Sequence, residues 1–79
     1  MMYVYIIQSQ STHDRYYTGI TDNLKRRLAQ HNSGKVGHTA KFQPWALKTY
    51  IGFSDAEKAK DFETYLKTAS GRAFAKKRL

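Results

Sequence analysis

Tyr3-Val4-Tyr5-Ile6-Ile7 and Tyr16-Tyr17-Thr18-Gly19-Ile20 are the two runs that decide the fold. The first is β-branched and aromatic throughout, which predicts a strand buried on both faces. The second has the same character, and the polar residues Gln8 to Asp14 between them read as a turn. The pair is expected to form an antiparallel hairpin. A loop from Ser9 to His13 would set Tyr5 opposite Tyr17, with both phenols projecting from one sheet face. Gly19 leaves that face without a side chain and would let a ligand approach the backbone closely.

Working outward, Asp22 is the expected N-cap of a helix over Asn23–Asn32, which Ser33-Gly34 would stop. Lys35 to Gln43 reads as a loop. Trp45 to Phe53 is a third strand, with Trp45, Leu47, Thr49, Ile51 and Phe53 alternating onto one side. Ser54-Asp55-Ala56-Glu57 matches a capping box and opens a second helix that runs to about Thr68. Ser70-Gly71 separates it from a short basic C-terminal helix. The sum is an α+β domain of order β-β-α-β-α-α, a small three-stranded antiparallel sheet with helices packed on it.

At 79 residues the expectation is one domain, residues 1–79, with one small core. An apolar fraction of 41% argues against a disordered basic tail. With no cysteine, neither a disulfide framework nor a thiolate zinc site can hold the fold. His13, His31 and His38 lack the spacing of a structural zinc site. The apolar run Met1 to Ile7 is far too short to span a membrane, so the expectation is a soluble cytoplasmic protein without a membrane partner.

The net charge is +8, and its distribution is more informative than its size. Between Asp22 and Asp55 there is no acid but there are Lys25, Arg26, Arg27, Lys35, Lys41 and Lys48. After Glu63 come Lys67, Arg72, Lys76, Lys77 and Arg78, again without an acid. Such asymmetry attracts a polyanion, because each cation that meets a phosphate releases condensed counterions. A solvated surface on a basic protein is the plainer alternative. Nucleic acid leads, with DNA ahead of RNA because no aromatic RNA-recognition strand signature is present.

Several polar residues fall in apolar company. With Leu24 at zero on the first helix, Leu28 stands at about +40°, His31 at about −20° and Arg27 at about −60°. Arg27 and His31 therefore share the face turned to the sheet, while Lys25, Arg26 and Gln30 point away. Arg27 has the alternative of snorkelling its head into water, and His31 that of a satisfied core histidine. On the second helix Ala59, Phe62 and Leu66 set the inward stripe, with Glu63 at its margin about 70° from centre. Lys67, four residues on, offers Glu63 an ordinary helical ion pair. For Tyr5 and Tyr17 the alternative is cross-strand packing. Together the set suits phosphodiester hydrolysis: a carboxylate for a divalent metal, a cation for the phosphate, and a phenol or imidazole for a water proton.

The sequence resembles the GIY-YIG nuclease domains. Tyr3-Val4-Tyr5 matches the first motif and Tyr17-Thr18-Gly19 the second; the helix Asn23 to Asn32 resembles the one carrying the essential arginine. That arginine follows the second-motif tyrosine by ten positions, which selects Arg27, and the metal-binding glutamate falls on Glu63 in Phe62-Glu63-Thr64-Tyr65-Leu66-Lys67. The likeness covers nearly the whole chain and is closest to small stand-alone bacterial proteins of the YhbQ-like kind, where His38-Thr39 and Pro44-Trp45 also have counterparts. Tyr3 stands where the first motif has glycine, Thr18 where the second has isoleucine, and Ala73-Phe74-Ala75 where some relatives carry an asparagine.

The resemblance implies a metal-dependent endonuclease acting on DNA. Tyr17, helped by His31, would activate the attacking water; Tyr5 would position that water or the phosphate. Arg27 would stabilise charge on the phosphate, and Glu63 would be the one protein carboxylate on a single Mg²⁺ or Mn²⁺. Gly19, Lys35, His38 and Lys41 are expected to meet nucleic acid. Two other readings stand beside it: a non-catalytic nucleic-acid-binding module on the same fold, and an interaction domain for an acidic protein.

Overall fold

In the computed structural model, which describes all 79 residues, β1 (Met2–Ser9) pairs antiparallel with β2 (Tyr16–Thr21) on one edge and β3 (Trp45–Phe53) on the other. The sheet order is β2-β1-β3, and α1 (Leu24–Asn32), α2 (Gly37–Ala40), α3 (Ala56–Leu66) and α4 (Ala69–Arg78) surround it. This is the expected α+β architecture, with one addition: the short α2 lies within the stretch that reads as a loop. β1 is central, with both edges paired, and helices pack on both of its faces. Val4 and Ile6 pack with Ala59 and Leu66 of α3 on one side. On the other, Tyr5, Ile7 and Trp45 pack with Leu24 and Leu28 of α1. Each fully buried aliphatic or aromatic side chain contributes roughly 1.5–3 kcal/mol.

The hairpin register differs from expectation by two residues. Tyr5 faces Gly19 and Ile7 faces Tyr17. β1 continues through Ser9 because that buried serine is fully satisfied: its hydroxyl donates to the Phe42 carbonyl at 2.6 Å and accepts from the Thr12 amide at 3.0 Å. A two-residue slip preserves the alternation of faces, so Tyr5 and Tyr17 still share one side.

β3 departs further. Ile7 pairs with Leu47 but Ile6 pairs with Thr49, leaving Lys48 as the extra residue of a β-bulge. The expected alternation is therefore broken in the middle. Trp45 serves the α1 side of the sheet, whereas Phe53 packs with the cluster beneath α3.

Cap positions shift by one. Asn23, not Asp22, caps α1, accepting from the Arg26 amide at 3.0 Å, while Asp22 pairs with the Arg26 side chain. Asp55, not Ser54, caps α3 by accepting from the Glu57 and Lys58 amides. Ser70 and Gly71 do not separate two helices but lie inside the first turn of α4, capped by Thr68. Gly71 is required there, since a Cβ would stand 2.6 Å from the Leu66 Cα and the two helices could not meet so closely.

Candidate active site

The α1 side of the sheet gathers four of the five expected site residues. Tyr5 points up from the central strand and its hydroxyl lies 2.8 Å from His31 Nε2. Arg27, one turn earlier on α1, donates from Nε to the same oxygen at 3.4 Å. Tyr17 stands beside them, its ring 6.4 Å from Tyr5 and 5.0 Å from His31. Gly19 makes this packing possible, but not as a ligand approach. A Cβ there would come within 2.6 Å of Tyr5 Cζ, so the phenol itself fills the space.

The proton positions in this cluster follow from counting donors. The Thr39 hydroxyl donates to the Val36 carbonyl at 3.1 Å, so its oxygen accepts from His31 Nδ1–H at 2.9 Å. A neutral imidazole protonated on Nδ1 presents Nε2 as an acceptor, and Tyr5 donates to it. Its oxygen then turns a lone pair to Arg27. Burial, with the nearby Arg27 and His38 charges, pushes His31 down to about 4, so it is neutral at physiological pH. Burial also raises the Tyr5 phenol, against the opposing pull of Arg27.

His31 has no exposed surface and both of its nitrogens are engaged, one by Tyr5 and one by Thr39. Tyr5 is only 2% exposed, and its oxygen meets both His31 and the Arg27 guanidinium. Thr39 is the member that sequence reasoning missed. Its only signal was the His38-Thr39 pair, since a threonine in an apparent loop carries no pattern. His38, expected to contact nucleic acid, is exposed and stands 5.1 Å from the Tyr17 ring. Lys35 and Lys41 are exposed, Lys41 lying over Phe42.

Arg27 is half-buried and has no carboxylate partner. Its Nη1 donates to Gln30 Oε1 at 2.9 Å, so Gln30, expected to point away, reaches back to hold it. The hydrogen bond to Tyr5 raises the guanidinium further above its ordinary pKa, and the Tyr17 oxygen adds to this. The result is a fixed, permanent cation held only by neutral oxygens.

Glu63 stands apart. It lies on α3, which covers the other face of the sheet, and neither a hydrogen bond nor an ion pair joins it to Tyr5, Tyr17, Arg27 or His31. It is nonetheless buried, 5% exposed, and its charge is among the influences that raise Tyr5. Lys67 Nζ holds one carboxylate oxygen at 2.8 Å and Lys60 Nζ the other at 3.1 Å. The expected alternative of a helical ion pair is thus present. Burial pushes the carboxyl up, but the lysine hydrogen bonds outweigh it and hold it below the ordinary range. No group of three or more His, Cys, Asp or Glu side chains is arranged to cage a metal.

Thr39→Val tests the relay. It leaves His31 Nδ1–H buried without an acceptor, at an expected cost of about 1–3 kcal/mol in urea unfolding. Thr39→Ser should recover most of it, and an unchanged unfolding midpoint for the valine variant would remove Thr39 from the relay. Stability should also fall in acid. The folded His31 takes its proton near pH 4 while the unfolded chain takes it near 6.5, so stability is lost as pH falls between those values. His31→Gln should flatten that part of the profile.

Residues 1–78 match the GIY-YIG catalytic domain family. Among curated relatives, a UPF0213 protein of Streptococcus pneumoniae is 38% identical over 82% of this chain and 65% of its own length. A UPF0213 protein of Streptococcus pyogenes is 33% identical over 90% of this chain and 76% of its own. A structure-specific endonuclease subunit SLX1 homolog of Giardia intestinalis is 34% identical over 77% of this chain. The chain spans 18% of the length of that last relative. None of the helices is long and apolar enough to cross a membrane. On its sequence match and the tyrosine–arginine cluster built on its sheet, the chain belongs to the GIY-YIG catalytic domain family.

Proposed function

We propose that this chain is a metal-dependent endonuclease that hydrolyses DNA phosphodiester bonds. The observation that carries the reading is Arg27: a guanidinium fixed by Tyr5 and Gln30, half out of water, with no anion of the protein beside it. A cation placed at that cost fits a phosphate arriving from outside. The name of the Giardia relative agrees, since it is called a structure-specific endonuclease subunit.

The donor set also fits the expected metal. Mg²⁺ commonly takes one or two carboxylates and completes its shell with water and substrate phosphate, and Glu63 is a single ionised, buried carboxylate. Lys60 and Lys67 would have to yield, and their side chains are 65% and 51% exposed, so little holds them in place. An ion held by Glu63 would supply Lewis acidity at a phosphate oxygen.

The chain's own groups do the rest. Arg27 offsets charge on the phosphate as the attacking oxygen adds, with Tyr5 and His31 fixing its direction. Tyr17 is half-buried beside Arg27 and orients the water. The proton released as the water oxygen bonds to phosphorus leaves to solvent on the side where His38 is exposed beside the Tyr17 ring. The P–O bond to the leaving sugar oxygen breaks, and that oxygen takes a proton from solvent.

Nicking of supercoiled plasmid in Mg²⁺ or Mn²⁺, stopped by chelation, tests the reading. Equal nicking by Glu63→Ala, prepared independently, would mark a contaminant and leave the non-catalytic binding module as the better account. That second reading is favoured by one observation, the occupation of both Glu63 oxygens by lysines.

A further inference from the structure

On the other face of the sheet, the hairpin end is not covered by helix. An open groove of about 760 Å³ lies there, in the size range of ligand-binding clefts. Ile6 and Thr18 form its floor, with Leu66 and Ala75 as the helical wall. Its border carries Arg15, Lys48, Lys67, Arg72 and Lys76 against a single acid, Asp14.

That density of positive charge works against the fold. Arg72 and Lys76 are four residues apart on α4, where like charges repel, and neither makes a salt bridge. Lys48 reaches the groove border at the bulge in β3, where its Nζ donates to the Leu79 carbonyl at 2.8 Å. Arg72 and Lys76, which have no acidic partner on this border, make sense when an anion neutralises them. The groove also borders Tyr16, a large aromatic left 51% exposed on the edge strand, and Tyr16 lies on the same strand as Tyr17. Lys67 belongs both to the groove and to the Glu63 pair, which places the groove beside the candidate metal carboxylate.

We propose that this groove binds a single-stranded stretch of nucleic acid, its phosphodiester groups on Arg72, Lys76 and Lys48 and one base stacked against Tyr16. Cationic tracks with an aromatic platform are how unpaired strands are held without regard to sequence. The proposal rests on the nuclease reading and extends it: the enzyme would grip an unpaired strand on the sheet face that also carries Glu63. Neither the strand grip nor Arg72, Lys76 and Tyr16 takes part in the chemistry at Arg27.

The test is metal-free binding of a fluorescent oligothymidine and a matched duplex by the whole chain, at several salt concentrations. Arg72→Ala/Lys76→Ala should weaken oligothymidine binding roughly tenfold at moderate salt and lower the salt slope by about 1.4. Tyr16→Ala should weaken the single strand by about fivefold or more and the duplex far less. Lys58→Ala/Lys77→Ala, which removes the same charge outside the groove, should change binding by no more than about twofold. Arg27→Ala should bind the oligonucleotide nearly as well as the wild type while failing to nick plasmid, which separates the grip from the chemistry. Equal weakening by the two double variants would overturn the groove and leave only net charge. Preferential displacement of the oligonucleotide by polyglutamate would assign the groove to an acidic protein and overturn it as well. A wild-type chain that binds no nucleic acid would end both this proposal and the nuclease reading.

Discussion

Arg27→Ala is expected to lower plasmid nicking by roughly 10³-fold while DNA affinity falls only a few-fold. The asymmetry follows from how the guanidinium is held. Its Nε points to the Tyr5 oxygen and its Nη1 to Gln30, so its geometry is set before any substrate arrives. A charge already in place needs no reorganisation when the phosphate becomes more negative, and that is where its contribution is greatest. The ground-state phosphate, by contrast, meets Arg27 as one cation among many on a chain of net charge +8. Arg27→Lys should recover little, because an ammonium keeps the charge but loses the planar fork that Tyr5 and Gln30 orient. Gln30→Ala should fall between wild type and Arg27→Ala. Folding should be almost unaffected, since the guanidinium has no ion-pair partner to lose. Nicking by Arg27→Ala at the wild-type rate would remove this cation from the reaction.

What the sequence revealed of this arrangement depended on periodicity. Tyr5 and Tyr17 were legible as neighbours because strand faces alternate every two residues, and the two-residue error in register preserved that parity. The face of α1 was legible for the same kind of reason: Leu24, Leu28, Arg27 and His31 fall within a narrow arc at helical spacing. Glu63 was readable as inward-facing from Ala59, Phe62 and Leu66 around it. The bulge at Lys48 was not legible, since Trp45 to Phe53 alternates without interruption and only the pairing of Ile6 and Ile7 shows that the face changes partway. The one-residue errors at Asp22 and Ser54 have a simple origin, since adjacent residues of equal capping ability compete and backbone geometry decides between them.

Side-chain hydrogen bonding was the least legible layer. Nothing in the pattern of Thr39 distinguishes it from Thr12 or Thr68. Its role exists because α2 brings it under α1, 1% exposed, with its carbonyl also accepting from Trp45 Nε1 at 2.9 Å. The consequence for function is a division of labour. His31 and Thr39 are sealed from water and hold Tyr5 and, through it, Arg27; Tyr17 is half-buried and His38 is exposed. Variants of the first pair, and of Tyr17, which packs on the Tyr5–Ile7–Trp45 cluster, should therefore disturb stability and turnover together, whereas variants of the exposed His38 should change turnover alone.

Glu63→Gln should remove nicking almost entirely, by at least 10²-fold, and with it the binding of Mn²⁺ followed by electron paramagnetic resonance. No cluster of three or more acidic or imidazole side chains stands at Glu63, so a metal held there would depend on this carboxylate. The amide keeps nearly the same shape and can still accept from one lysine, so the fold should survive. The stability change follows from the pKa. Burial raises the carboxyl and the Lys67 and Lys60 hydrogen bonds more than reverse it, leaving Glu63 below the ordinary carboxylate range. A depressed value means that ionised Glu63 contributes stability above the unfolded pKa, and that the contribution disappears as pH falls through the folded one. Glu63→Gln should therefore be less stable than wild type at neutral pH, by about 1 kcal/mol or less because both lysines are solvent-screened. The two proteins should converge in acid. The same lysines would compete with a metal there, so Lys67→Ala should strengthen Mn²⁺ binding while Glu63→Gln abolishes it. Retention of wild-type Mn²⁺ affinity by Glu63→Gln would place the metal elsewhere, whatever the effect on nicking.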